Sequence, residues 1–293
     1  MCPALLLHFE DETASAARIA AAAGMPHACI QRHRFPDGEL KLRLPATLPP
    51  HMVLLRTLAQ PNEKLVEILL AAHAARTLGA MQLTLVAPYL AYMRQDIAFA
   101  PGEAVSQRIV GRLLADLFDA VITVDPHLHR VTTLAEAVPV PRTVVLSGAP
   151  LLADLIARQR PGALLIGPDE EAAQWVAQAA ARHGFEHAVC RKVRHGDRHV
   201  EITLPTLDIR GRAIVLLDDV ASSGHTLAQA ARGLLAAGAA SVDVAVTHAL
   251  FTGDAGPLLW NAGIRQVWST DCIAHPSNAV SMASAIASTL TSE

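Results

Sequence analysis

Short unbroken apolar runs recur along this chain, and a helical pattern follows each. "HMVLLRT" (residues 51–57) precedes "PNEKLVEILLAAHAARTLGA" (61–80), and "LTLVAP" (83–88) precedes "GEAVSQRIVGRLLADLF" (102–118). "AVITVDP" (120–126) then opens the next cycle. A strand whose apolar residues are continuous rather than alternating is covered on both faces. Strand then helix, repeated, is the grammar of an α/β fold with a parallel sheet. The second half repeats it: "ALLIGP" (163–168) echoes "LTLVAP", and "IVLLD" (214–218) echoes "VITVD" (121–125). We therefore expect two similar α/β domains, 1–147 and 148–293, each a mainly parallel sheet flanked by helices. The terminal helical segment, "NAVSMASAIASTLTSE", has the option of packing on the first domain. Extra length in the second half, "CRKVRHGDRHVEITLP" (190–205), reads as a β-excursion turning at Gly196 and Asp197.

Composition narrows the function. At 52% hydrophobic and 17% charged, 293 residues support a large core and leave apolar surface for subunit contacts. A net charge of −3 gives no polyanion-binding surface, so no nucleic-acid partner is expected, and any phosphate chemistry must be local. Cys2, Cys29, Cys190 and Cys272 have neither zinc-like nor redox-like spacing and read as free thiols of a reducing cytoplasm. The start, "MCPALLLHFEDE", lacks a basic region and a long apolar run, and charges break the apolar runs elsewhere. A cytoplasmic protein without a membrane partner is expected.

The stretch "IVLLDDVASSGHTL" (214–227) carries the chemistry. It delivers Asp218 and Asp219 to the carboxyl end of a strand, where ligands of open parallel sheets sit. Ser222, Ser223, Gly224, His225 and Thr226 follow as a helix begins. Hydroxyls, backbone N–H groups and a helix N-terminus together make an anion cradle. The bland reading is a helix cap formed by Ser222 or Asp219. Two acids ending a strand, with small and hydroxyl residues behind them, favour the functional one: acids facing ribose hydroxyls or a metal, amides facing a phosphate.

This stretch resembles the ribose-phosphate-binding loop of the phosphoribosyltransferase fold, which two enzyme classes share. Transferases consume phosphoribosyl pyrophosphate, and ribose-phosphate pyrophosphokinases make it. The loop alone does not choose, and its "SSGHT" tail leans toward the transferases. Other segments choose the pyrophosphokinases. "RFPDGELKLRL" (34–44) resembles their F-x-D-G-E segment, "APYLAYMRQD" (87–96) their P-Y-x-x-Y-x-R-Q-D segment, and "VITVDPHLH" (121–129) their V-I-T-V-D-x-H strand end. "NEKLVEILL" (62–70) and "VTHALFTGDA" (246–255) also fit, in the family's order along nearly the whole chain.

The resemblance implies an ATP site with Phe35 as a stacking face and Asp37 and Glu39 as acceptors. Arg94 and Gln95 are planar donors beside Asp96. In the family, the Phe35 segment reaches the ATP site from a neighbouring subunit, which implies a homodimer at least. By itself "FPDGEL" is simply a turn. The resemblance makes His127 a ligand of a catalytic Mg²⁺, an unusual role for imidazole because Mg²⁺ prefers oxygen. "GPDEE" matches the family's S-P-D at Pro168 and Asp169, so Asp169 joins His127 at the metal. The family usually continues with glycines; Glu170 and Glu171 here suit a first helical turn, where acids favour the dipole.

Lys192 and Arg194 form a K-x-R pair that resembles the family's mobile catalytic loop. Such cations stabilise charge developing on a diphosphoryl group in transfer. The activity implied is diphosphoryl transfer from ATP to the C1 hydroxyl of ribose 5-phosphate. Asp218 and Asp219 would take the ribose hydroxyls, and residues 222–226 the 5-phosphate. The family's commoner loop reads D-D-x-x-D-T-x-G-T, so Ser222 replaces its third acid and Gly224-His225 its x-G pair. The alternatives are a nucleobase phosphoribosyltransferase and a non-catalytic subunit associated with a synthetase.

Overall fold

The computed structural model describes residues 4–195 and 199–291, with backbone alone at 192–195 and 199–202. Two compact units emerge: Met1–Leu146 with Met282–Glu293, and Ser147–Ser281. Gly196 and Asp197, the expected turn of the excursion, lie outside the described residues.

The first unit opens with β1 (Ala4–His8), a 3-10 turn at Glu10–Glu12, α1 (Thr13–Ala23) and β2 (His27–Cys29). A two-stranded hairpin follows, β3 (Gln31–Arg34) with β4 (Leu40–Arg43). Then come β5 (His51–Leu55), α2 (Pro61–Thr77), β6 (Gln82–Ala87), α3 (Ser106–Leu117), β7 (Ala120–Val124), α4 (Leu134–Ala137) and β8 (Arg142–Leu146). Six strands form one parallel sheet in the order β2-β1-β5-β6-β7-β8. All five residues of β7 are buried, as a strand covered on both faces requires.

Two helix boundaries have local causes. Helix α2 stops at Thr77 because Gly79, at φ 100°, takes the left-handed turn that ends it. Helix α3 begins at Ser106 rather than near 102. Pro101 and Gly102 turn the chain first, and Glu103 accepts from the Phe99 N–H at 2.8 Å.

The second unit contains α5 (Ala149–Gln159), β9 (Leu164–Gly167), a 3-10 turn at Glu170–Ala172, α6 (Ala173–His183) and β10 (His187–Val189). Its own hairpin pairs β11 (Arg191–His195) with β12 (His199–Thr203). The unit continues with β13 (Ala213–Ala221), α7 (His225–Ala236), β14 (Ser241–Ala249), α8 (Ala255–Asn261), β15 (Ile264–Thr270) and β16 (Asn278–Val280). The parallel sheet has the order β10-β9-β13-β14-β15-β16. All nine residues of β14, inside that sheet, are buried. Helix α9 (Ala283–Thr291) returns to the first unit, where it packs on α1. Among the described residues no helix is long and apolar enough to cross a membrane.

The strand orders make the two units copies of one topology, but not with the correspondence the strand echoes suggested. The structure equates β9 with β1 and β13 with β5, not with β6 and β7. Any buried parallel strand reads alike, so the hairpin after the second strand is the better marker. Residues 27–45, "HACIQRHRFPDGELKLRLP", and 187–205, "HAVCRKVRHGDRHVEITLP", match without a gap. Within them Arg32 stands where the second unit has Lys192, and Arg34 where it has Arg194.

Candidate active site

In the second unit, Asp169 lies just beyond β9, and Asp218 and Asp219 lie on β13 next to β9 in the sheet. Asp219 is 2% exposed and Asp218 half-buried. The Asp219 N–H donates to Asp218 Oδ1 at 3.0 Å. Burial pushes the Asp218 carboxyl well above the usual carboxylate range, and the nearby Asp219 and Asp169 carboxylates push the same way. Three carboxylates thus crowd one buried edge of the sheet. Asp169 accepts from the Glu171 N–H at 3.1 Å, so Glu170 and Glu171 open the turn that leads into α6. Glu170 is drawn to Arg191 at 3.7 Å.

The loop after β13 follows from one glycine. Gly224, at φ 76°, is the N-cap of α7, a conformation that L side chains rarely adopt. No side chain caps this helix, so the first amides of α7 point out of its N-terminus without a side-chain acceptor. Ser223 and His225 are exposed, Ser222 and Thr226 half-buried. The loop after β14 fixes the cradle from below. Leu250 and Phe251 N–H both donate to the Ala221 carbonyl, at 3.0 and 2.9 Å, and the Thr252 N–H donates to the Ser222 carbonyl at 3.0 Å. Phe251 pays for this with φ 34°, an uncommon value for a bulky residue, and its ring lies 4.8 Å from that of His275. Sequence reasoning saw "VTHALFTGDA" only as a family segment and missed this clamp. Lys192 and Arg194 lie on β11, with their side chains outside the described residues.

In the first unit the other candidates line the carboxyl edge of the sheet and the hairpin. Phe35 is 38% exposed at the hairpin tip, with the His33 ring edge-on at 4.8 Å and Lys41 Nζ 5.8 Å from its centroid. The tip is a tight turn. Phe35 N–H donates to the Glu39 carbonyl and Gly38 N–H to the Phe35 carbonyl, both at 2.9 Å, while Glu39 N–H donates to Asp37 Oδ1 at 3.2 Å. The turn reading of "FPDGEL" and the functional one thus coexist.

After β6, Tyr92 takes φ 65°, Arg94 is exposed, and Gln95 Oε1 accepts from the Ser106 hydroxyl at 3.0 Å. Asp96 is 3% exposed. Its carboxylate accepts from Arg130 Nη1 at 2.7 Å and from the Arg130 N–H at 3.1 Å, and Arg130 holds it below the usual carboxylate range. Arg130 was missed in the sequence, although it stands one residue beyond "VDPHLH". After β7, Asp125 is 5% exposed at a strained φ 37°, and the His127 and His129 rings meet edge to face at 5.1 Å.

Comparison with known proteins identifies the family. Residues 4–117 match the family model described as the N-terminal domain of ribose phosphate pyrophosphokinase, and residues 149–286 match the phosphoribosyl transferase domain. The ribose-phosphate pyrophosphokinase of Methanopyrus kandleri is 38% identical over 261 residues, 88% of either chain. That of Methanosarcina acetivorans is 33% identical over 94% of this chain and 95% of its own. The crystal structure of phosphoribosylpyrophosphate synthetase from Mycobacterium smegmatis superposes with a TM-score of 0.85 over 98% of this chain and 97% of its own. At 22% identity, that likeness speaks for the fold. Two matched halves in this order, and relatives this similar over almost their full length, make the chain a member of the ribose-phosphate pyrophosphokinase family.

Proposed function

We propose that the chain transfers the diphosphoryl group of ATP to ribose 5-phosphate, giving phosphoribosyl pyrophosphate and AMP. The C1 hydroxyl attacks the β-phosphorus and loses its proton. The bond from the β-phosphorus to the α–β bridging oxygen breaks, and its electron pair leaves with AMP. The observation that carries this reading is the run Asp218–Thr226, two acids near the carboxyl end of a buried strand with an uncapped helix N-terminus shortly after it. The acids accept from ribose hydroxyls, and the amides and hydroxyls of Ser222, Ser223, Gly224, His225 and Thr226 hold the 5-phosphate. Phe35 stacks on the base, Asp37 and Glu39 accept from its amino group, and Arg94 and Gln95 donate to base or phosphate. Asp96 serves by anchoring this turn to Arg130. Lys192 and Arg194 stabilise the charge that develops on the moving diphosphoryl oxygens.

A divalent cation fits the donor set. Burial, with the Asp219 and Asp169 carboxylates beside it, pushes the Asp218 carboxyl up, and a divalent cation would relieve that crowding. Oxygen donors of this kind suit Mg²⁺, and the family resemblance names Asp169 and His127 as the residues that would hold it. When bound, the ion supplies charge neutralisation on the phosphate oxygens.

The exposed Phe35 hairpin supports a homodimer or larger assembly, in which one subunit completes the nucleotide site of another. The free thiols Cys29, Cys190 and Cys272 fit a cytoplasmic location.

The deciding assay supplies ATP, ribose 5-phosphate and Mg²⁺ with orthophosphate present. Formation of AMP that depends on ribose 5-phosphate is expected. Absence of AMP, with diphosphate released from a nucleobase and phosphoribosyl pyrophosphate, would establish the transferase instead.

A further inference from the structure

The hairpin β3–β4 has little to hold it. Every residue from Gln31 to Glu39 is exposed, and only Leu40 and Leu42 of β4 are half-buried before the chain reaches Leu44. A two-stranded ribbon of this kind is marginal alone. Its pose must come from side chains that reach back to the unit, and two do so in register. Arg32 and Arg34, two apart on β3, project the same way. Arg32 Nη1 pairs with Glu67, and Arg34 Nη2 with Glu63, acids four apart on one face of α2.

The inner pair continues into the core. Glu67, fully buried, is shared between Arg32 and Arg56, and Arg56 is itself 1% exposed. Arg56 Nη1 donates to Asp11 at 2.7 Å and lies 3.2 Å from Glu12. Both guanidinium groups lie near the ring of Phe9, with Arg56 at 4.6 Å and Arg32 at 5.8 Å from its centroid. Arg56 directly follows β5 and, by strand register, stands where Asp218 stands on β13. Where the second unit presents acids to a ligand, the first unit turns a buried arginine inward and spends it on holding the hairpin. On α7, the positions matching Glu63 and Glu67 are Leu227 and Ala231, so this arrangement belongs to the first hairpin's own sequence.

We propose that Arg32–Glu67–Arg56, with Arg34–Glu63 at the rim, is a latch that sets the pose of the hairpin, and that Arg32 and Glu63 are positioning residues for nucleotide binding at its tip. The proposal rests on the reading that Phe35, Asp37 and Glu39 contact ATP. The inner pair dominates, because Glu67 is buried whereas both partners of the outer pair are largely exposed and contribute little alone.

The test leaves the buried Arg56–Glu67 pair intact. In the full chain, Arg32→Met and the double variant R32M/E63Q are compared with Arg32→Lys, which keeps the charge. Hydrogen exchange without nucleotide reads the latch itself, at the Phe35 and Gly38 amides of the tip. The KM for ATP, the KM for ribose 5-phosphate and kcat are measured in parallel, with Phe35→Ala as the control for the underlying reading.

A working latch predicts faster exchange at the tip and a KM for ATP raised about tenfold in R32M/E63Q. The KM for ribose 5-phosphate should be unchanged, kcat should stay within about twofold, and R32K should recover part of the ATP affinity. Wild-type exchange and wild-type KM for ATP in R32M/E63Q, with Phe35→Ala raising that KM, would overturn the latch while leaving the nucleotide reading intact. An unchanged KM for ATP in Phe35→Ala would overturn the nucleotide reading and with it the purpose assigned to the latch.

Discussion

Replacing Glu12 by Gln should abolish one well-defined component of the pH dependence of stability. The Glu12 carboxyl is 7% exposed and its pKa is raised from 4.5 to about 7. Burial is the main cause. It outweighs the attraction of Arg56 and Lys64 and the hydrogen bond from the Thr57 N–H at 2.6 Å, and the Asp11 carboxylate adds to the rise. Between pH 4.5 and about 7 the folded chain therefore holds a proton that the unfolded chain has released. The favourable contribution is complete below pH 4.5 and is lost as pH climbs through about 7. At about 1.4 kcal/mol per pH unit, the rise from 4.5 to about 7 corresponds to about 3 kcal/mol, an order-of-magnitude figure. Glutamine keeps the acceptor for Thr57 and cannot ionise. Urea unfolding of the first unit, followed by hydrogen exchange in peptides from β1 and β5, should be run from pH 4 to pH 8 on both proteins. Relative to E12Q, the wild type should lose up to about 3 kcal/mol across that range. Parallel profiles, or a wild type that gains on E12Q as pH rises, would refute the argument that desolvation governs this cluster.

Further outcomes concern the second unit. Lys192→Ala and Arg194→Ala should each lower kcat by roughly 10²–10³, with little change in KM, while Asp219→Ala should mainly raise the KM for ribose 5-phosphate. Steady-state kinetics separate the two patterns, and near-wild-type kcat in both cation variants would remove the hairpin from catalysis. Gly224→Ala forces an L side chain to φ 76° and places Cβ 3.3 Å from Leu259, so a loss of about 1–2 kcal/mol and weaker ribose 5-phosphate binding are expected, read by thermal melting and by KM. The Cys190 thiol, fully buried and pushed up to about 11, should resist alkylation at pH 8 in the folded chain, whereas the exposed Cys29 should be modified first, as peptide mass mapping can show.

What the sequence revealed, and what it hid, follows from locality. Continuous apolar runs marked β5, β6, β7, β9 and β13 because burial on both faces leaves a local signature. The acids of β13 were visible because they interrupt such a run. The repeat itself was legible, but its phase was not, since buried strands differ too little to be matched one by one. The hairpins align without a gap across 19 positions, six of them identical, yet polar ribbons carry no periodicity to draw attention. Arg56 is one charge near the end of "HMVLLRT", with nothing local to single it out. Its partners come from the turn after β1 and from α2, and only the folded chain shows the cluster they form. Likewise, the clamp of Thr252 on Ser222 joins two loops through backbone atoms, which no side-chain pattern announces.

The central claim is that the diphosphoryl group moves intact from ATP to the sugar. Phosphorus NMR of a reaction containing ATP, ribose 5-phosphate and Mg²⁺ tests it most directly. The account predicts AMP and a C1-diphosphorylated ribose 5-phosphate in equal amounts, each appearing as ATP disappears. ADP with a monophosphorylated sugar, or ATP left unconsumed by a folded chain, would contradict it.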